Sequence, residues 1–316
     1  MSRFTELPLA AYPDEVFADL PASHEYSPRA ALILCWLAQL AYESDVGKID
    51  AIARRLGFEA PAPFTRKKKK GLPLSVAKGL FVEGRHAVVL AFAGTDPANF
   101  PDIVTDVNVG LRRDGLHAGF TTATDAAFED SKAALALARH TGKAFFITGH
   151  SLGGAIAVLT ALRLREERED VADGVYTWGM PRAGRQSLID ACGEALGRRT
   201  FRHMHGIDGI PTLPPPELGF AHVGRLVACG RYARFPDEPG DDWKSNEPSS
   251  ATALANGVAA QLENFRKGSG IGDAEARARG LAHPELPPGV SDHLPDRYLT
   301  ALGWDFQAGR PQSAKP

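Results

Sequence analysis

The chain has 316 residues, 44% hydrophobic and 23% charged, with a formal net charge of −2. That length holds one large α/β domain or two small ones, and the balanced charge argues against a global nucleic-acid binder. Three cysteines, Cys35, Cys192 and Cys229, are too few and oddly numbered for a disulfide framework.

The first twenty residues carry Glu6, Asp14, Glu15 and Asp19 and lack the basic-then-apolar order of a secretory signal. A cytoplasmic location is therefore expected, with export by a route that reads no such signal left open. The most apolar stretch, 30–41, is too short to span a bilayer. Ser27-Pro28 predicts a helix start, running to about residue 42, with Leu32, Trp36, Leu37 and Leu40 facing a core. A short helix is expected over 52–58. The run Arg66-Lys67-Lys68-Lys69-Lys70-Gly71 reads as a solvated loop or tip; the alternative is contact with an anionic membrane surface.

Residues 79–83 and 87–93 are expected to pair as strands around Glu83-Gly84-Arg85. Val88-Val89-Leu90-Ala91-Phe92 is apolar at every position, as an interior strand is, and leads into Ala93-Gly94-Thr95-Asp96. Residues 95–116, with two prolines and several Asp and Asn, read as a flap over a site or as a plain connection. One long helix is expected over 121–140.

Phe145-Phe146-Ile147 reads as a buried strand, Gly149-His150-Ser151-Leu152-Gly153 as a Gly-x-Ser-x-Gly turn, and 155–164 as a helix. Strand, turn and helix in that order are the context of a nucleophile elbow. Ser151 would project its hydroxyl from a strained turn, and bulk at Gly149 or Gly153 would collide with the facing strand or helix. The helix that follows points N–H groups and its positive dipole end at the reacting oxygen. The plainer alternative is a Gly-rich turn that binds an anion.

Further strands are expected at 174–179, 200–204 and 225–229, and helices near 186–196 and 296–302. The alternation predicts a mostly parallel sheet with helices on both faces, in one domain over 1–316. A helical insertion is expected over 236–290, with an amphipathic helix at 251–265 and a shorter one at 274–281.

A serine nucleophile needs a base and an orienting acid, in the chain order Ser, Asp or Glu, His for an α/β-hydrolase fold. Asp208 follows the strand that ends near Met204 and lies between Gly206 and Gly209, which fits the acid. Asp173 precedes its strand. Among His222, His283 and His293, the last is favoured as base because its loop immediately precedes the final helix. His222 sits at a strand entrance and His283 precedes Pro284. The oxyanion needs two N–H donors: Leu152, after the nucleophile, and Thr95, after an earlier strand.

Taken together these residues resemble the class 3 lipase family, the fungal triacylglycerol lipase-like branch of the α/β hydrolases, from Ala30 to about Leu299. The likeness lies in Ala91-Phe92-Ala93-Gly94-Thr95, Asp102-Ile103-Val104-Thr105-Asp106-Val107-Asn108, His117-Ala118-Gly119-Phe120 and the elbow. It continues in Tyr176-Thr177-Trp178-Gly179-Met180-Pro181-Arg182-Ala183-Gly184, Asp208-Gly209-Ile210-Pro211, His222-Val223-Gly224 and Asp292-His293. The resemblance implies an α/β-hydrolase fold and a serine carboxylester hydrolase acting on lipid esters, of triacylglycerol lipase or phospholipase A1 type. It implies Ser151, Asp208 and His293 as the triad, Thr95 and Leu152 as the oxyanion hole, and Asp106 steadying the Thr95 hydroxyl. It implies no metal or organic cofactor, an ester substrate, peripheral contact with a lipid interface and no nucleic-acid partner. The family has Arg where this chain has Ala93, and the flap lacks the Trp common in lipid-facing lids. Two other readings stay open: a lipid-binding protein without catalysis, favoured by Ala93 and the lysine run, and the same chemistry on soluble esters or thioesters.

Overall fold

The computed structural model describes residues 6–14, 17, 19–68, 74–95, 112, 114–244 and 288–311. Asp106 and most of the expected flap, Lys69-Lys70-Gly71, both helices expected in the insertion, and His283 lie outside the described residues.

Seven strands form the central sheet: β1 (Glu59–Lys67), β2 (Val76–Glu83), β3 (Ala87–Phe92), β4 (Ala144–His150), β5 (Gly174–Trp178), β6 (Thr200–His205) and β7 (Arg225–Cys229), side by side in that order. β1, β2 and β3 pair antiparallel. From β3 to β7 every pairing is parallel. The longer helices among the described residues are α1 (Pro28–Leu40), α2 (Val46–Arg55), α3 (Ala118–Ala126), α4 (Phe128–Thr141), α5 (Leu152–Arg168), α6 (Gln186–Arg198) and α7 (Pro295–Ala301), beside a four-residue turn of helix at Pro288–Ser291.

The apolar run in β3 explains the layering. Successive side chains of a strand point to opposite faces, so a strand apolar at every position needs cover on both. Val88, Leu90 and Phe92 join a core with Phe120, Phe128, Leu135 and Ile156 from α3, α4 and α5. Val89 and Ala91 join a second core with Leu34, Trp36 and Leu37 of α1 and Tyr298 and Leu299 of α7. All six β3 residues are buried as a result.

Local signals set most boundaries. Ser27 caps α1, its hydroxyl accepting from Ala30 N at 3.3 Å, and Pro28 fills the first turn. The helix expected at 52–58 starts earlier, at Val46, because the Asp45 carboxylate accepts from Lys48 N at 2.8 Å. The single helix expected over 121–140 is two, α3 and α4, meeting at Ala127 (φ −97°, ψ 9°). Glu129 and Asp130 in the first turn of α4 suit a new helix start.

The basic run departs from the solvated-loop expectation. Arg66 and Lys67 belong to the edge strand β1, and Arg66 makes a two-pronged pair with Asp130 at 2.9 Å from each nitrogen. Lys68 lies 3.7 Å from Asp125. Among the described residues, no helix is long and apolar enough to cross a membrane.

Two buried histidines make the fold acid-labile. The His203 ring stacks on Trp178 at 4.0 Å and sits between Tyr26 Oη and the Thr177 carbonyl, at 3.2 and 3.1 Å. Burial lowers its pKa to about 3, and burial also holds His150 well below the ordinary histidine value. In the unfolded chain both titrate near 6.5. As pH falls below that, the unfolded state takes up protons that the folded state refuses. Stability is thus full above pH 6.5 and falls on acidification, with His203 alone removing about 2 kcal/mol by pH 5. Urea unfolding at pH 7.5 and pH 5 is expected to show this loss, and His203→Gln to flatten it.

Candidate active site

Ser151 stands between β4 and α5 with φ 56° and ψ −129°, a backbone conformation that costs on the order of 1–3 kcal/mol for a residue with a side chain. The surrounding backbone holds it there: Ser151 N donates to the Trp178 carbonyl at 2.8 Å, and Gly154 N donates to the Ser151 carbonyl at 2.9 Å. The turn is tight enough to require its glycines. A methyl group at Gly149 would run into the Gly153 carbonyl, and one at Gly153 would overlap the Phe92 carbonyl and lie 2.7 Å from that of Ala93. The Ser151 hydroxyl is buried and has no hydrogen-bond partner among the described residues.

Asp208 lies in the loop after β6, where its N–H donates to the His205 carbonyl at 3.0 Å. Its carboxylate is fully buried and gathers three donors. Ile210 N donates to Oδ1 at 2.9 Å, Tyr298 Oη donates to Oδ2 at 2.5 Å, and His293 Nδ1 lies 2.9 and 2.8 Å from the two oxygens. Burial and the Asp208 charge raise the Tyr298 pKa well above its ordinary value, so the phenol remains a donor. With Nδ1–H committed to Asp208, the neutral His293 ring presents Nε2 as its proton acceptor.

A second buried chain reaches the His293 backbone. Tyr42 Oη lies 2.7 Å from His150 Nδ1, and His150 Nε2 lies 2.6 Å from the His293 carbonyl oxygen. A carbonyl only accepts, so His150 donates through Nε2 and accepts from Tyr42 at Nδ1. The low pKa that burial and the neighbouring His293 give His150 keeps it in this neutral form.

Backbone packing brings these groups together. Gly179, just past β5 with φ +60°, passes so near the pair that a Cβ there would lie 2.6 Å from Asp208 Oδ2 and 2.7 Å from His293 Nδ1. Ser151 is hydrogen-bonded to the residue before Gly179, and the ring of His150, its chain neighbour, lies 4.6 Å from that of His293. Asp208 and His293 thus pair beyond the C-terminal ends of β4, β5 and β6, where open α/β sheets place ligands, and the backbone of Ser151 lies beside that pair.

Leu152 is the first residue of α5, among the N–H groups that an α-helix leaves without intrahelical partners. Thr95 follows Gly94, where a Cβ would lie 2.6 Å from Ser151 Cβ, so Thr95 is one residue from the serine's surroundings. Asp106 lies outside the described residues. His222 is turned to another task, its Nε2 lying 2.7 Å from the Pro211 carbonyl oxygen. Sequence reasoning missed Tyr42, Tyr298 and the part played by His150. The only local signal was His150 itself, the variable residue between Gly149 and Ser151.

Residues 89–218 match the family model described as Lipase (class 3). The chain is 34% identical over 127 residues to secreted mono- and diacylglycerol lipase 1 of Fusarium solani, covering 40% of this chain and 36% of that protein. It is 40% identical over 75 residues to secreted mono- and diacylglycerol lipase LIP4 of Malassezia restricta, covering 24% of this chain and 25% of that one. It therefore spans about a third or less of the length of these curated relatives. Among solved structures, the lipase in the Rhizomucor miehei lipase–propeptide complex superposes with a TM-score of 0.55 at 17% identity, over 70% of this chain and 74% of that one. That likeness is one of fold, and it is the α/β-hydrolase fold. Residues 89–218 are thus similar to the class 3 lipases, set in a chain with the α/β-hydrolase architecture.

Proposed function

We propose that the chain is a carboxylester hydrolase acting on lipid esters, with Ser151 as nucleophile, His293 as general base and Asp208 as the acid that orients it. The observation that carries the reading is the fully buried Asp208 carboxylate on His293 Nδ1, beside a serine held at positive φ. His293 Nε2 takes the hydroxyl proton as Ser151 attacks the ester carbonyl. The Thr95 and Leu152 N–H groups receive the developing oxyanion, each supplying about 2.7–4 kcal/mol. His293 then hands the proton to the leaving alcohol, an acyl-enzyme remains, and water activated by the same ring releases the acid. Asp208 keeps Nδ1 protonated and stabilises the imidazolium.

The names of the matched relatives, mono- and diacylglycerol lipases, support glyceride esters as the substrate class and a lipid–water interface as the place of action. The test is hydrolysis of emulsified diolein and of p-nitrophenyl butyrate by the purified chain and by Ser151→Ala. The variant is expected to fold normally and to lose at least about 10⁴-fold in kcat. Unchanged turnover would remove Ser151 from the chemistry.

A further inference from the structure

We propose that Asp292 is a positioning residue for the catalytic pair, holding the loop that carries His293 in register with the loop that carries Asp208. The inference rests on the reading of Ser151, His293 and Asp208 as one hydrolytic unit.

The two loops come from distant parts of the chain, one after β6 and the other just before α7. They are joined by two rungs between adjacent residues. In one, His293 Nδ1 donates to Asp208. In the other, Ile207 N, the residue before Asp208, donates to Oδ2 of Asp292, the residue before His293, at 3.0 Å. Gly206, at φ +57°, has no side chain to obstruct that approach: a Cβ there would overlap Asp292 Oδ2. The second carboxylate oxygen, Oδ1, accepts from Arg231 Nε at 3.0 Å. His205 completes the cluster, its Nδ1 3.3 Å from the Asp292 carbonyl oxygen and its Nε2 3.2 Å from that of Arg231.

Asp292 is 1% exposed. A buried ion pair is a weak source of net stability, so stability alone does not account for a carboxylate at this place. Geometry does. An ionised carboxylate accepts from a backbone N–H on one oxygen and from a guanidinium on the other, and fixes both. Burial pushes the Asp292 pKa up, and the Ile207 N–H and Arg231 pull it back. Without Arg231 the carboxyl would tend to protonate and lose part of its hold on Ile207. His293 has a second fastening at its carbonyl through His150, but that bond does not reach the Asp208 loop. The Asp292 carboxylate, by contrast, bonds from the residue next to His293 to the residue next to Asp208.

The test uses p-nitrophenyl butyrate, with circular dichroism and thermal melting on every variant. Asp292→Ala is expected to lower kcat about 10²-fold, the cost of roughly 1 Å of misplacement, with KM changed by less than about twofold. Asp292→Asn should recover part of the loss, because one amide oxygen still accepts from Ile207 N. Arg231→Met should lower kcat by a smaller factor, and it carries the test if Asp292→Ala does not fold. Nitrogen-15 spectra should show the His293 Nδ1 proton broadened by solvent exchange in Asp292→Ala, a change that loss of stability elsewhere would not produce. Wild-type kcat in folded Asp292→Ala, or a loss that vanishes once rates are normalised to folded protein, would overturn the proposal while leaving the triad reading intact. A wild-type chain as inert as Ser151→Ala would instead remove the triad reading, and this proposal with it.

Discussion

Asp208→Asn is expected to lower kcat for ester hydrolysis by about 10⁴-fold while the protein still folds. The reason is tautomeric. The native carboxylate accepts on both oxygens, from Ile210 N and Tyr298 Oη as well as from His293. An amide has one acceptor and one donor end. Ile210 N–H can only donate, so it draws the amide oxygen, and the NH₂ then lies toward Tyr298 and His293. His293 Nδ1 lies 2.8 Å from the NH₂ place and 2.9 Å from the oxygen place; the nearer NH₂ donates to an unprotonated Nδ1 and so favours the tautomer with its proton on Nε2. The ring then has no lone pair with which to take the Ser151 proton. The Tyr298 hydroxyl can rotate to accept from the amide, so the fold keeps its bonds and the loss falls on the chemistry. Steady-state kinetics beside a thermal melt checks this; a variant within tenfold of wild-type kcat would contradict it.

The second large effect falls on the fold. Gly153→Ala is expected to destabilise by on the order of 4 kcal/mol or more, which places it among exceptional single substitutions. The added methyl group meets the Phe92 and Ala93 carbonyls, which belong to the end of β3 rather than to a side chain that can swing away. Either α5 lifts off the sheet or the strand end moves, and each disturbs the ground on which Ser151 and Thr95 stand. Gly142→Ala is the control. Its Cβ would meet nothing within 4 Å, but φ is +66°, so the cost there is left-handed strain alone, about 1–2 kcal/mol. Urea melts of the two variants separate collision from strain, and Gly153→Ala melting with the control would contradict the packing argument.

The parts of the molecule readable in advance are those where local chemistry and tertiary position agree. β3 is buried and apolar throughout, and β4 is buried throughout and carries the apolar run Phe145-Phe146-Ile147, so composition marks both. The elbow is readable because steric demand fixes Gly149 and Gly153 on either side of Ser151. β1 escaped notice because only Phe64 among its nine residues is buried, and Pro61 and Pro63 interrupt any alternation. An edge strand tolerates both prolines, since one side of its ladder has no partner. The division of α3 from α4 turns on one residue, Ala127, in an alanine-rich stretch where no Gly or Pro marks a stop. The supports of the site were the least legible. Tyr42 and His150 are 108 residues apart, and Asp208 and Tyr298 are 90 apart. No pattern within one element discloses a bond of that span. Chain order brought His293 forward as the base, but order could not show that Asp292 beside it binds the opposite loop.

The proposed chemistry requires Ser151 to be a nucleophile that His293 activates, and one measurement addresses both halves. Intact-mass and peptide mass spectrometry after fluorophosphonate treatment should find one phosphonyl group per chain, on Ser151, with a labelling rate that falls at least about 10³-fold in His293→Ala. A chain that takes up no label, or one labelled at Ser151 just as fast without the imidazole, would contradict it.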